Sequence, residues 1–221
     1  MKKSYKIKEI FYTLQGEGAQ SGRPAIFCRF SKCNLWNGKE EDRANSVCSF
    51  CDTDILGTDG RNGGEYISAL DLATAVNNLW PHKNGKPFVV CTGGEPALQL
   101  DEDLIENFHQ LGFEVAIETN GTIKVPREID WICVSPKDQE YANLKIRQRI
   151  GDELKVVYLG QDLSMYDELK EGFEHLFLQP LYDEGQNTEW NGMSFHSTFE
   201  KVRNNPEWRL SLQTHKWMGV E

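Results

Sequence analysis

From residue 68 onward the chain alternates two hydrophobic patterns: short unbroken apolar runs, and longer stretches in which apolar residues return every three or four positions. Ser68 opens the first such stretch with Asp71 three residues on, and Ala69, Leu72, Ala73, Val76, Leu79 and Trp80 keep a helical period. This predicts a capped amphipathic helix that Pro81 and Gly85 end. An apolar run at 88–91 reads as a strand, and a second helix follows it. Asp101 caps that helix, Leu104, Ile105, Phe108 and Leu111 share one face, and Gly112 stops it. Further strands are expected at 113–117, 131–134, 154–158, 176–178 and 208–212, with helices near 163–170 and 193–202. Short apolar runs suit parallel strands covered on both faces, so the pattern predicts an α/β fold with a mostly parallel, βα-repeating sheet curled into a partial barrel.

Five of the apolar runs end in compact polar or glycine-rich groups: Thr92-Gly93-Gly94-Glu95-Pro96, Glu118-Thr119-Asn120-Gly121, Ser135-Pro136-Lys137, Gln179-Pro180 and Gln213-Thr214-His215. Turn residues collect at strand ends for purely structural reasons. In a parallel architecture, however, the carboxyl ends of the strands form one face where loops bind ligands, and five such groups predict a shared ligand face.

Composition narrows the function. The 221 residues carry 24 Lys+Arg against 34 Asp+Glu, a net charge of −10, which argues against a nucleic acid as the main partner and against a tRNA-acting enzyme. At 39% hydrophobic residues the chain has an ordinary globular composition, and one domain over 1–221 is expected. No apolar run approaches the roughly 18 residues of a membrane span, and no apolar segment follows Lys2 and Lys3. The expected location is the cytoplasm.

Six cysteines without an export signal point to metal ligands, catalytic groups or buried thiols rather than a disulfide framework. Cys28, Cys91 and Cys133 sit inside apolar runs and are expected in the core. Cys33, Cys48 and Cys51 fall in a polar stretch and are the ligand candidates. Three thiolates can hold three irons of a 4Fe-4S cluster and leave the fourth open, whereas a structural zinc site needs a fourth ligand, and no histidine lies between Cys33 and Cys51. A redox dithiol at Cys48-x-x-Cys51 is a further alternative.

The cysteine triad together with Thr92-Gly93-Gly94-Glu95-Pro96 after a strand resembles the radical S-adenosylmethionine (SAM) superfamily. The usual superfamily triad is Cys-x3-Cys-x2-Cys, whereas here fourteen residues separate Cys33 from Cys48. That spacer, with Phe11-Tyr12-Thr13-Leu14-Gln15-Gly16-Glu17-Gly18, Cys28-Arg29-Phe30, Cys51-Asp52-Thr53, Ser135-Pro136-Lys137 and the segment from Leu210 to Lys216, is similar to the 7-carboxy-7-deazaguanine synthase family from about residue 7 onward.

The resemblance implies a modified, partial radical SAM (β/α) barrel, with 31–57 as an extended cluster-binding loop. It implies a homodimeric lyase of queuosine and 7-deazapurine biosynthesis that converts 6-carboxy-5,6,7,8-tetrahydropterin to 7-carboxy-7-deazaguanine with loss of ammonia. The implied cofactors are a 4Fe-4S cluster, SAM and Mg²⁺, with a low-potential reductant such as flavodoxin as partner.

Matched position by position, the resemblance makes Cys33, Cys48 and Cys51 the cluster ligands and Thr53 the magnesium ligand. Gly94, the segment Ser135, Pro136 and Lys137, and the segment Gln179, Pro180, Leu181 and Tyr182 match SAM-binding positions. Leu14, Gln15, Gly16, Arg29 and Thr92 match pterin-binding positions, to which Glu17 and His215 are added, and the terminal carboxylate of Glu221 is carried over to the substrate. An arginine can pair with a carboxylate through two parallel hydrogen bonds; a surface salt bridge is the lesser alternative for Arg29. Glu95 lies next to the site, but no catalytic residue is assigned beyond the cluster and SAM. Two other readings stay open: another radical SAM enzyme such as a glycyl-radical-enzyme activase, against which the spacer, Thr53 and Leu14-Gln15-Gly16 argue, and a zinc-stabilised binding module without catalysis.

Overall fold

The computed structural model describes residues 4–81, 84–137, 144–183 and 185–220. Strands β1 (Tyr5–Leu14) and β2 (Pro24–Phe30) form an antiparallel pair, and β3 (Gly64–Tyr66) adds antiparallel to the far edge of β1. From β2 onward each neighbour is parallel and in chain order: β4 (Phe88–Gly93), β5 (Glu114–Thr119), β6 (Trp131–Val134), β7 (Gly151–Tyr158), β8 (Phe173–Pro180) and β9 (Arg209–Leu210). The mostly parallel α/β sheet expected from the apolar runs is present. It curls without closing, because β3 and β9 remain edges. Loops bridge the gap instead: Gly18 N donates to Ser211 Oγ (3.0 Å) and Thr214 N to Gly16 O (2.9 Å).

Helices α1 (Ala69–Asn77) and α2 (Glu102–Gln110) carry the expected caps, with Ser68 Oγ accepting from Asp71 N and Asp101 Oδ1 from Leu104 N. Gly112 stops α2 with φ +83°, a conformation that favours glycine. α1 ends three residues before Trp80, and Leu79 and Trp80 reach the core from the turn beyond it. The 163–170 stretch is a 3-10 turn (Leu163–Tyr166) followed by one turn of helix, α3 (Asp167–Lys170). α4 (Thr188–Arg203) begins five residues ahead of expectation, where Asn187 caps it. The last expected strand contributes only β9, and a short helix, α5 (Thr214–Met218), follows it.

Regular βα alternation lapses twice: among the described residues no helix joins β5 to β6 or β6 to β7. The two loops satisfy each other's backbone groups instead. Arg147 N and Gln148 N both donate to Gly121 O (2.8 and 3.0 Å), Gln148 Nε2 donates to Ile150 O and its Oε1 accepts from Val125 N.

Successive strand side chains point to opposite faces, and this divides the core. Outward, Leu72, Val76, Leu104 and Phe108 of α1 and α2 cover Ile26, Val89 and Ile117, and a second apolar group under α3 and α4 holds Leu154, Val156 and Leu178. Full burial of one such leucine or phenylalanine stabilises the fold by about 1.5–3 kcal/mol. Inward, a small apolar floor of Ala25, Phe88, Val90 and Ala116, with Phe27 and Trp131 against it, gives way to polar residues. Among the described residues no helix is long and apolar enough to cross a membrane.

Candidate functional site

A cavity of about 650 Å³ opens on the inner face of the sheet, walled by the ends of the parallel strands, the segment after Phe30 and the segment after β9. Cys33, Cys48 and Cys51 line it together with Thr53. The long spacer reaches this arrangement by folding back on itself, since Val47 N and Cys48 N both donate to Leu35 O (3.1 and 3.4 Å). Arg43, from a 3-10 turn at Glu40–Asn45, stacks over Trp36 (4.2 Å) and donates to Ser49 O and Cys51 O (3.1 and 2.8 Å). At the outgoing end Lys8 anchors the loop through Asp54, Leu56 O and Asp59.

The donor set suits thiolate ligation. Burial pushes the Cys33 thiol up, but the amides of Leu35 and Trp36 pull against it, Leu35 N standing 3.4 Å from the sulfur. Cys48 donates a hydrogen bond to Cys51, which brings the Cys51 thiol down to about 7 and raises that of Cys48. Among the described residues no three His, Cys, Asp or Glu side chains converge tightly enough to hold a single metal ion. The three cysteines that line the cavity match in number the three thiolates that a four-iron cluster with one open iron takes.

Of the expected SAM positions, Gly94, Ser135, Lys137, Gln179, Pro180, Leu181 and Tyr182 line the cavity, while Pro136 is buried behind its wall. Lys137 Nζ donates to Ser135 Oγ (2.7 Å), and Gln179 Oε1 accepts from Ser211 Oγ (2.9 Å). Gly94 has a steric duty of its own: a Cβ there would stand 1.9 Å from Lys32 O, so the glycine lets the strand end pass against the cysteine loop. Glu95 is fully buried and accepts from Ala97 N (3.0 Å), Thr119 Oγ1 (2.7 Å) and Asn120 N (2.8 Å). It knits two strand-end loops together.

Of the expected pterin positions, Leu14, Gln15, Glu17, Arg29, Thr92 and His215 line the cavity. Gly16 does not; it makes room for His215, whose Nδ1 would be 2.1 Å from a Cβ at that position. Arg29 faces the cavity and is also ion-paired, with Glu9 Oε1 at 3.3 Å. Burial lowers the affinity of His215 for its proton despite the nearby Glu17 and Asp52. Glu221 lies outside the described residues. Cys28 and Cys91 are in the outer apolar core as expected. Cys133 is buried too, but it faces inward, its sulfur 3.5 Å from Glu153 Oε1.

The structure adds residues to which the motifs gave no role. Lys155 projects inward from β7 between Glu17 Oε2 (2.5 Å) and Glu118 Oε2 (3.3 Å). A lysine inside the otherwise apolar run 154–158 was the available signal. Asp52 joins Lys216 of α5 at 2.8 Å and so connects the cysteine loop to the segment after β9.

No protein-family model matches the sequence. The chain is 49% identical to a 7-carboxy-7-deazaguanine synthase of Burkholderia multivorans over 217 residues, covering 98% of this chain and 99% of that protein. It is likewise 49% identical to one from Caulobacter vibrioides over 218 residues, with the same coverage. Among solved structures, the crystal structure of QueE from Escherichia coli aligns with a TM-score of 0.68 and 26% identity, covering 95% of this chain and 93% of that one.

Proposed function

The chain belongs to the 7-carboxy-7-deazaguanine synthase family, and on that premise we propose how its cavity is divided among cluster, SAM and substrate. It is a radical SAM enzyme of queuosine biosynthesis that carries out a ring contraction. The substrate we assign is 6-carboxy-5,6,7,8-tetrahydropterin, which loses ammonia to give 7-carboxy-7-deazaguanine. What carries this assignment is the convergence of three cysteines, Arg29 and Glu17 on one cavity, whose size lies within the range of about 300–1,000 Å³ typical of small-molecule sites.

A 4Fe-4S cluster and SAM, when bound, supply the one-electron chemistry that starts the reaction, and the protein supplies position and exclusion of water. Cys33, Cys48 and Cys51 on the 31–57 loop would hold the cluster. Their number leaves one iron for SAM, whose remaining contacts we assign to Gly94, Ser135, Lys137 and the segment from Gln179 to Tyr182. Pro136 shapes that segment from behind the wall. Thr53, half-buried in the same wall, supports a magnesium site, since Mg²⁺ often takes few protein oxygens and completes its shell from substrate and water.

Arg29 would receive the substrate carboxylate, exchanging part of its pairing with Glu9 for a bidentate contact. Gln15, Glu17, Thr92 and His215, with Leu14 beside them, present the donors and acceptors that a pterin ring requires. Gly16 acts indirectly, by admitting His215. The carboxylate of Glu221, a homodimer, a flavodoxin-type reductant and a cytoplasmic location complete the reading. Phe195 of α4 packs against Trp217 of α5 (ring centroids 6.3 Å), and the exposed Trp217 is an apolar side chain that a homodimer would cover.

The test is an anaerobic assay of the reconstituted protein with SAM, Mg²⁺, reductant and 6-carboxytetrahydropterin, read by mass spectrometry. Formation of 7-carboxy-7-deazaguanine that disappears in Cys48→Ala is the expected result. No product from protein that carries its cluster and cleaves SAM would overturn the substrate assignment.

A further inference from the structure

The inner wall carries a buried charge arrangement that ligation and carboxylate pairing leave unexplained. Lys155 leaves the middle of β7 with its side chain 4% exposed, and its ammonium lies between Glu17 from the β1–β2 loop and Glu118 from β5. Burying an ion is costly, and an apolar side chain would pack readily beside Val157 and Phe177. The lysine therefore answers a need other than packing.

The carboxylates it holds are fixed at both oxygens. Glu17 Oε1 accepts from Gln213 Nε2 (2.8 Å), and Glu118 Oε1 accepts from Gln15 Nε2 (2.9 Å). Gln15 in turn accepts from Glu17 N at 3.1 Å, which makes one connected network. Both carboxylates line the cavity. Glu153, two residues before Lys155 on the same face, is outside it and is engaged by Ala19 N (2.9 Å) and the Cys133 thiol.

Resting on the pterin assignment above, we propose that Lys155 is a positioning residue that holds Glu17 and Glu118 as an oriented pair of acceptors against the donor edge of an amino-pyrimidinone ring. Each carboxylate has two oxygens with several lone-pair directions, so a bond to Lys155 leaves capacity for a ring N–H or amino group. The surrounding carboxylates keep Lys155 protonated and so exclude a nucleophilic role: burial favours the neutral amine, but the charges of Glu118 and Glu17, with Glu153 behind them, outweigh it. Burial alone would also raise Glu17, and the Lys155 charge and hydrogen bonds from Lys155 and Gln213 bring it down to about 2. The other titratable and charged groups of this neighbourhood are His215 of α5 and Asp52 of the cysteine loop, both near Glu17, Lys216 paired with Asp52, and His175 of β8, the register partner of Glu153. Without the ammonium, Glu17 loses the charge and the hydrogen bond that offset its burial, and it takes up a proton more readily.

The experiment compares wild type, Lys155→Met, Lys155→Arg, Glu118→Gln and the Lys155→Met/Glu118→Gln double variant, all reconstituted with cluster. Failure of wild type to make product would overturn the pterin assignment; the remaining readouts concern Lys155. Lys155→Met is expected to raise KM for the pterin by about tenfold or more, with a smaller change in kcat, as for loss of a charge-assisted bonding surface. The acid limb of kcat/KM moves up by about one pH unit, and Lys155→Arg recovers most of both effects. The two single effects on KM are expected to be non-additive in the double variant, because Lys155 acts through Glu118. Additive effects with an unmoved acid limb would overturn the proposal. Should Lys155→Met not fold, Lys155→Gln, which keeps a hydrogen-bond donor without the charge, takes its place with the same expectations.

Discussion

The backbone N–H of Val47 donates to the carbonyl of Leu35 at 3.1 Å, so the chain that leaves the cysteine loop at Leu35 re-enters it at Val47. With that excursion set aside, the path between the first two ligands is Cys33-Asn34-Leu35-Val47-Cys48, which has the three intervening residues of the usual superfamily triad. The fourteen-residue spacer thus brings the chain back beside Leu35 just before the second thiol. Replacing residues 37–45 by two glycines is therefore expected to leave iron uptake close to that of the full chain. It removes Arg43 from the carbonyls of Ser49 and Cys51, so amide hydrogen exchange at Phe50–Thr53 should quicken. Loss of iron binding would show that the excursion does more than depart and return.

Gly94→Ala places a methyl group against Lys32 O at 1.9 Å, backbone against side chain, with no flexible group to yield. The variant should lose about 1–3 kcal/mol of stability, the usual cost of overpacking. It should also take up less iron, because the displaced carbonyl adjoins Cys33. Denaturant midpoints and iron content per chain measure the two effects separately.

Glu95→Gln keeps the shape of a buried side chain but replaces an accepting oxygen by an NH₂ group. Each carboxylate oxygen faces at least one donor: Asn120 N on one side, Ala97 N and Thr119 Oγ1 on the other. One donor is left unpaired, at a cost of about 1–3 kcal/mol. Chemical denaturation should show this loss, whereas kcat of the folded fraction should change far less than it does for a cluster ligand variant.

Acid should weaken the fold through Glu17. Its carboxyl is lowered from an ordinary 4.5 to about 2, where burial is outweighed by Lys155 and Gln213. A depressed carboxyl contributes stability that is complete above its unfolded value and is lost as the pH falls from about 4.5 toward about 2. Urea midpoints across that window should fall less steeply for Glu17→Gln than for wild type. Parallel curves would mean that Glu17 gains little from its partners.

The outer half of the molecule was legible in the sequence because its signals are local. Ser68 and Asp101 mark helix starts through their own side chains, and the 88–91 and 131–134 runs are strands because both faces are covered. The inner wall was legible wherever a motif carried it, as at Cys33, Arg29 and Gln179. Glu118 stood in a strand-end group, but Lys155 escaped because its partners Glu17 and Glu118 lie 138 and 37 residues away in the chain. The same holds for α5, a five-residue helix too short to announce itself, whose Lys216 is held by Asp52. Between β5 and β6, where the sequence carries no helical period, the chain forms a loop whose Gly121 O is satisfied by the loop near Arg147.

Because Thr214 bonds Gly16, Gln213 bonds Glu17 and Ser211 bonds Gly18, one side of the cavity is assembled from segments almost two hundred residues apart. During synthesis the cysteines emerge from the ribosome early, whereas this wall is complete only after residue 216 has cleared the exit tunnel. Metal insertion that depends on the finished pocket consequently waits for the segment after β9, and a chain stalled at α4 would hold its thiols in a cavity with that side still open.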